Sequence, residues 1–352
     1  MLVKSTFKKD DCIYLLKDLT GIIKEVSIDE KEKLIAQGVN YSEMISKEYP
    51  VSDEINSIFK KTLDENADAL AYYTGVIAEE IYRRGQENSI IVSLARAGSP
   101  VGALIKRYLK YKYNVEIPHY SISIIRDKGI DENALNYILE HHPSGIMTFV
   151  DGWTGKGSIT RELKKAISSY NEKHGTNISD DLAVLADPAK LSAISGTKKD
   201  ICIPNACLNS TVSGLVSRTI HNTDLIGPND FHGAKVFSDL VDDDLTNYFL
   251  DEVEKHFTKE DKSMVSETDP QYVKNVISKL EKEFPMADVN KVKLSIGESS
   301  RALLRRKPYI LLVKNMDNPD LSFVLHLARQ KGVEIRQYDT FDYECICLLK
   351  WG

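Results

Sequence analysis

Cysteine is scarce in this 352-residue chain: five residues, at positions 12, 202, 207, 345 and 347, with no repeated CxxC spacing. A disulfide scaffold and a ribbon-type zinc site are therefore not expected, and the chain reads as reduced. Cys345-Ile346-Cys347 alternates as a strand does, with both thiols on one face, and reads as core. Long apolar runs are missing too. None approaches a membrane span, and the first residues lack a basic stretch leading into an apolar one. The expected location is the cytoplasm, without membrane association. No internal repeat is visible. What is present is an ordinary folded composition, 42% hydrophobic and 28% charged, with length for roughly two or three domains.

Residues 146–160, IMTFVDGWTGKGSIT, carry the strongest chemical signal. An apolar run ends in Asp151, a loop with glycines at 152, 155 and 157 follows, and a helix is expected to open at Ser158 or Thr160. This layout brings a carboxylate to the C-terminal edge of a buried strand and aims backbone N–H groups at an anion beside a helix N-terminus. A sugar phosphate suits it. A nucleotide P-loop does not, because only two residues separate Gly152 from Gly155-Lys156, where that motif needs four.

Upstream, residues 90–102, IIVSLARAGSPVG, form a second strand, loop and helix, with Arg96 and Gly98 at the handover. Residues 120–131, YSISIIRDKGID, form a third strand ending in Arg126 and Lys128. Residues 52–84 read as long amphipathic helices, and 12–19 as strand-like. Together these patterns predict a parallel α/β sheet with its site at the carboxyl edge.

These blocks resemble the type I phosphoribosyltransferases. More narrowly, SLARAGSPVG, ISIIRDKGID, FVDGWTGKGSIT and NACLNSTVSGLVSRT are similar to bacterial phosphoribosyltransferase-like proteins of tellurium-resistance and stress gene clusters. That group ends in a Pelota-type RNA-binding domain, and the likeness runs from about residue 10 to the C-terminus. The resemblance implies a phosphoribosyltransferase-like parallel sheet with helical additions over residues 1–258, its core at about 89–232. A charged helical linker would span 259–290, and a small α/β/α domain of Pelota or L7Ae type 291–352.

It also implies magnesium-dependent transfer from phosphoribosyl pyrophosphate to a base-like acceptor, and a homodimer is expected. Asp151 would hold the ribose hydroxyls and a magnesium-bound water. Thr154, Gly155, Lys156, Gly157 and Ser158 would hold the 5-phosphate. Arg96 and the amides of Ala97, Gly98 and Ser99 would face pyrophosphate, with Arg126 and Lys128 closing over it. Asn205, Asn209, Ser210, Thr211 and Ser213 would line the acceptor pocket. Two positions depart from the family pattern: Gly152 stands where a second acid is usual, and Trp153-Thr154 where a threonine pair is usual.

From Lys291 onward the chain holds eleven Lys and Arg against seven Asp and Glu, although its formal net charge is −6 overall. The resemblance places a Gly297-Glu298-Ser299 turn and the basic residues Arg301, Arg305, Arg306 and Lys307 where the Pelota-type domain meets structured RNA.

The same group is also described as cysteine proteases of the StiP type. That reading needs a thiolate and a base. Cys207 is the candidate nucleophile, at a polar strand-to-helix turn where a helix dipole lowers a thiol pKa, with His221 or His232 as base. A third class is a non-catalytic regulator that binds a phosphoribosyl ligand and RNA, which would account for the missing acid at Gly152. Sequence alone leaves all three open.

Overall fold

The computed structural model describes residues 1–264, 267–285 and 287–350, with their side chains apart from those of Ile28, Asp29, Glu32 and Cys207. Six strands form one wholly parallel sheet: Ile13–Tyr14 (β1), Ser89–Leu94 (β2), His119–Ile122 (β3), Ile146–Trp153 (β4), Leu182–Ala186 (β5) and Ile194–Thr197 (β6). Their order is β1–β3–β2–β4–β5–β6. The chain runs from β2 to β3 on one side, then crosses β2 to place β4 on the other. That reversal opens a crevice beyond the carboxyl ends of β2 and β4, where α/β sheets hold ligands.

Every residue of β2 is buried, so its side chains alternate between two apolar layers. Ile91, Val150 and Ala183 face one layer, and Ile90, Val92, Phe149 and Val184 the other. Helices Asp53–Gly85 (α1), Gly98–Tyr113 (α2) and Thr246–Glu254 (α5) cover the first face, through Leu70, Leu104 and Phe249 among others. Glu132–His141 (α3) and Ser158–His174 (α4) cover the second, through Leu135, Ile138, Leu163 and Ile167. The 52–84 region is one helix of 33 residues. Ser52 accepts the Ile55 N–H at 3.3 Å, Asp53 and Glu54 sit in its first turn, and Arg83 and Arg84 in its last. Each of these complements the helix dipole.

The tail forms a second sheet of Val292–Leu294 (β7), Pro308–Val313 (β8), Glu334–Gln337 (β9) and Cys345–Leu349 (β10), in the order β7–β10–β8–β9. Only the β8–β9 pairing is parallel. Helices Ser295–Arg305 (α7) and Ser322–Gln330 (α8) pack on one face with Cys345 and Cys347. The opposite face is covered by Tyr272–Glu283 (α6), whose Val273, Val276, Ile277 and Leu280 share a core with Val292, Ile310 and Ile346. The segment expected as a linker therefore contributes a helix to the tail's own core.

Cys202 of the first unit, with Ile55 and Ile58 of α1, packs into the α7–α8 layer. Among the described residues, no helix is long and apolar enough to cross a membrane.

Candidate functional site

Two clefts open where the first sheet meets the tail. The first follows β4, which runs through Asp151 to Trp153. Gly157 takes a left-handed φ of +73° before α4 opens at Ser158, a turn that glycine makes at little cost. Asp151 is tied to its own loop, with Oδ1 accepting the Gly152 N–H at 2.8 Å. Burial lifts its pKa to about 6, and nearby Arg301 opposes the shift.

The loop is met by the tail at every turn. A Cβ on Gly155 would stand 2.6 Å from the Glu298 Oε1, and one on Gly297 would collide with the Trp153 ring. Arg301 lies over Trp153 at 4.4 Å from its centroid, a stacking that suits guanidinium. The Tyr343 hydroxyl donates to the Gly155 carbonyl at 2.9 Å. Lys156 Nζ donates to the Val289 and Val292 carbonyls at 2.6 and 2.8 Å. The loop expected to cradle a phosphate thus faces a carboxylate of its own chain. What remains is a space of about 220 Å³, lined by Arg126, Asp151, Thr160 and Arg301 among others.

The second cleft, about 360 Å³, lies between the loop after β2, residues 45–52, the segment after Cys207, and α7 and α8. Glu48 organises it. Its Oε1 accepts from Arg96 Nη2 at 2.5 Å, and its Oε2 accepts from the Ser210 N–H and hydroxyl at 3.0 and 2.7 Å. Arg96 also donates to the Val216 carbonyl at 2.8 Å. Arg305 enters from α7 and donates to Asn209 Oδ1. Arg218 donates to the carbonyls of Tyr41 and Met44 and lies over the Tyr41 ring. Burial first, and then neighbouring guanidinium groups, push Arg305 down to about 9. Burial pushes Arg218 down to about 10, with Arg96 adding to the effect.

The residues anticipated from sequence divide between these places. Asp151, Arg126 and Thr154 to Ser158 belong to the first cleft, apart from Lys156, whose ammonium is held by the tail. Ala97 and Gly98 begin α2 against β4, where a Cβ on Gly98 would collide with the Val150 carbonyl. The buried Ser99 hydroxyl bonds to that of Ser121 at 2.7 Å. Lys128 bonds to the His221 carbonyl at 3.2 Å. Arg96, Asn209 and Thr211 line the second cleft. The Ser213 hydroxyl donates to the Asn209 carbonyl, and Asn205 Oδ1 is buried without a partner. Of the arginines expected to meet RNA, Arg301 and Arg305 face the first unit while Arg306 is exposed.

Glu48 and Arg218 as site residues were not anticipated, and no local motif marks them. Among the described residues, no group of three His, Cys, Asp or Glu stands together to hold a metal.

Cys12, Cys202, Cys345 and Cys347 are all buried. Burial raises Cys12 and Cys345 well above the ordinary thiol range and Cys347 to about 12, which keeps them protonated and inert. Cys207 ends the short helix Pro204–Cys207; its side chain lies outside the described residues. The next two residues, Leu208 and Asn209, line the second cleft. His221 and His232 do not line it. Their rings stand 4.6 Å apart, the His232 Nδ1 faces the Ser123 hydroxyl at 2.8 Å, and burial drives His232 down to about 3.

A third histidine has a different setting. On α8, whose Phe323 and Gln330 line the cleft, His326 Nδ1 stands 3.4 Å from Glu54 Oε1, while its Nε2 is buried without a partner.

Comparison with known proteins adds two matches. Residues 5–254 match the family described as tellurite-like stress resistance cysteine protease StiP, and residues 271–351 match the PELOTA RNA binding domain. A curated protein of Acinetobacter baylyi named cysteine protease StiP is 30% identical over 360 residues, covering 96% of this chain and 93% of its own length. Both names describe a cysteine protease, a hydrolase of peptide bonds that works through a thiol. That activity overturns the transferase reading from sequence, with its phosphoribosyl pyrophosphate and magnesium, and favours the protease alternative.

Proposed function

Because this chain belongs to the StiP family of tellurite-like stress resistance proteins, we propose that it is a cysteine protease with Cys207 as nucleophile. One observation carries the reading: four of the five thiols are buried, and the fifth immediately precedes residues that line the guanidinium-rich cleft. The attacking form of such a nucleophile is the thiolate.

In this scheme the Cys207 thiol gives its proton to His326 Nε2, the thiolate adds to the scissile carbonyl carbon, and Arg96 faces the negative charge that develops on oxygen. The C–N bond then breaks and the amine leaves with a proton from His326 Nε2. Water, losing a proton to the same nitrogen, attacks the thioester. The C–S bond breaks, and the thiolate and the acid product are released. Glu54 would hold the imidazole through Nδ1, as the third group does in such constellations. His326 joins His221 as a candidate base, since each keeps a buried ring nitrogen without a partner and neither lines the cleft; the Glu54 contact at Nδ1 favours His326.

The test is hydrolysis of a fluorogenic peptide panel by the wild type, Cys207→Ala and His326→Gln. Both variants should lose turnover, and alkylation by iodoacetamide should fall on Cys207. Undiminished turnover in Cys207→Ala would refute the reading.

The tail's match to an RNA-binding domain supports a second proposal, that structured RNA is bound through exposed basic residues. Arg306 and Lys307 are exposed, and Arg301 and Arg305 face the first unit. RNA affinity that falls with salt and drops in Arg306→Ala/Lys307→Ala is expected. Equal binding by the double variant would rule this surface out.

A further inference from the structure

The charges around the second cleft do not balance. Arg96, Arg218 and Arg305 line it together with Glu48. Both Glu48 oxygens are already engaged, one by Arg96 and the other by Ser210. Arg218 and Arg305 donate to neutral acceptors: the Tyr41 and Met44 carbonyls and the Asn209 amide oxygen. Arg218 Nε is buried with no acceptor. Thr211 also lines the cleft, is only 2% exposed, and leaves its hydroxyl unpartnered.

Guanidinium keeps its proton in such surroundings, so crowding of this kind is relieved by an anion rather than by neutralisation. The downward pressure on Arg218 and Arg305 agrees with that picture. The rest of the lining is apolar, with Ile45, Val51, Ile55, Leu208, Phe237 and Phe323 contributing. A bare phosphate would leave that wall facing water. A carboxylate carried on an apolar peptide would use both parts, and about 360 Å³ lies within the range of specific ligand sites.

We infer that this cleft is the specificity pocket of the protease, and that it takes a peptide presenting a carboxylate beside an apolar residue. Arg305 and Arg218 receive the carboxylate, and the Thr211 hydroxyl donates to it. The carboxylate comes from an acidic side chain or from a peptide C-terminus. Because Arg305 comes from α7 and Phe323 from α8, the pocket exists only while the tail is docked on the first unit. This inference rests on the protease reading for its catalytic meaning, but not for the binding itself.

The experiment uses the full chain and matched peptides with Glu, Gln or Lys at one position, each with a free or amidated C-terminus. The Glu peptide should be cleaved at least about tenfold more efficiently than its Gln counterpart, measured as kcat/KM. Arg305→Gln should erase that preference, and Arg305→Lys should restore most of it. If amidation alone removes the preference, the terminal carboxylate is the source; if only Glu→Gln does, the side chain is. Equal cleavage of Glu, Gln and Lys peptides would overturn the inference and leave the protease reading standing.

Calorimetry with Cys207→Ala separates the two ideas. Binding of the Glu peptide, weakened about tenfold by Arg305→Gln, supports the pocket even if no peptide is cleaved. Tighter binding of inorganic phosphate or a short RNA than of the acidic peptide would overturn it.

Discussion

At the end of β4, Gly155 faces Glu298, a carboxylate supplied by the tail. At the neighbouring cleft, Arg305, a guanidinium also supplied by the tail, joins Arg96 and Arg218 around Glu48. The same docking therefore has opposite results. It brings an acid, with Arg301, to a place suited to anions and leaves about 220 Å³ there, and it brings a third cation to a place already cationic and leaves it unsatisfied. An anion-friendly loop becomes a joint when its partner lies in the same chain. The surplus of charge marks where an outside molecule belongs.

The comparison breaks first on chemistry. Cys207→Ala should lower peptide hydrolysis by on the order of a thousandfold or more, whereas Asp151→Ala, in the other cleft, should stay within about twofold. Initial rates on one peptide check both, and the reverse pattern would move the reaction to the β4 loop.

Next comes pH. Asp200 is buried, accepts the Ile296 N–H at 3.1 Å and the Glu344 N–H at 2.9 Å, and so joins the first unit to the tail. Burial lifts its pKa from 3.8 to about 7. Between those values the folded state keeps a proton that the unfolded chain has lost, so stability from this group is present at low pH and declines as pH rises. From about pH 5 to about pH 7, wild type should lose about 2 kcal/mol relative to Asp200→Asn. Urea denaturation at the two pH values measures it, and parallel curves would refute the assignment.

The closed joint can also be forced. Gly155→Val drives a side chain into Glu298 and should cost on the order of 1–3 kcal/mol. Glu298→Ala in the same chain should recover part of it, a coupling that a double-mutant cycle reads. Smallest is Lys156→Met, which removes two hydrogen bonds to the Val289 and Val292 carbonyls and should cost about 1–2 kcal/mol in thermal unfolding.

Strands β2, β4 and β5 were legible in the sequence because long apolar runs ended in glycine or charge. Strand β1, Ile13–Tyr14, lies inside the stretch 12–19 that reads as strand-like, whereas β6, ISGT, is too short and polar to announce itself. The α6 helix was taken for linker because Lys274, Lys279, Glu281 and Lys282 dominate its composition. The spacing of Val273, Val276, Ile277 and Leu280 carried the correct signal.

The open cleft was only half visible. Arg96 and Asn209 stood in recognisable blocks, but Glu48 meets partners 48 and 162 positions away, a pairing that no local pattern encodes. The role of Glu298 was hidden for the opposite reason. Its Gly-Glu-Ser turn is a local pattern, and the pattern says nothing of which surface it will meet.

Helix α1 spans both halves: Leu70 lies in the core of the parallel sheet, while Ile55 and Ile58 pack under α7 and α8 and Glu54 reaches His326. A ribosome delivers its first turns long before Phe323 and Leu327 are made. Until then those isoleucines wait without their partners on a nascent chain, a natural foothold for a chaperone. Final assembly of this protein is therefore tied to the emergence of the tail from the exit tunnel.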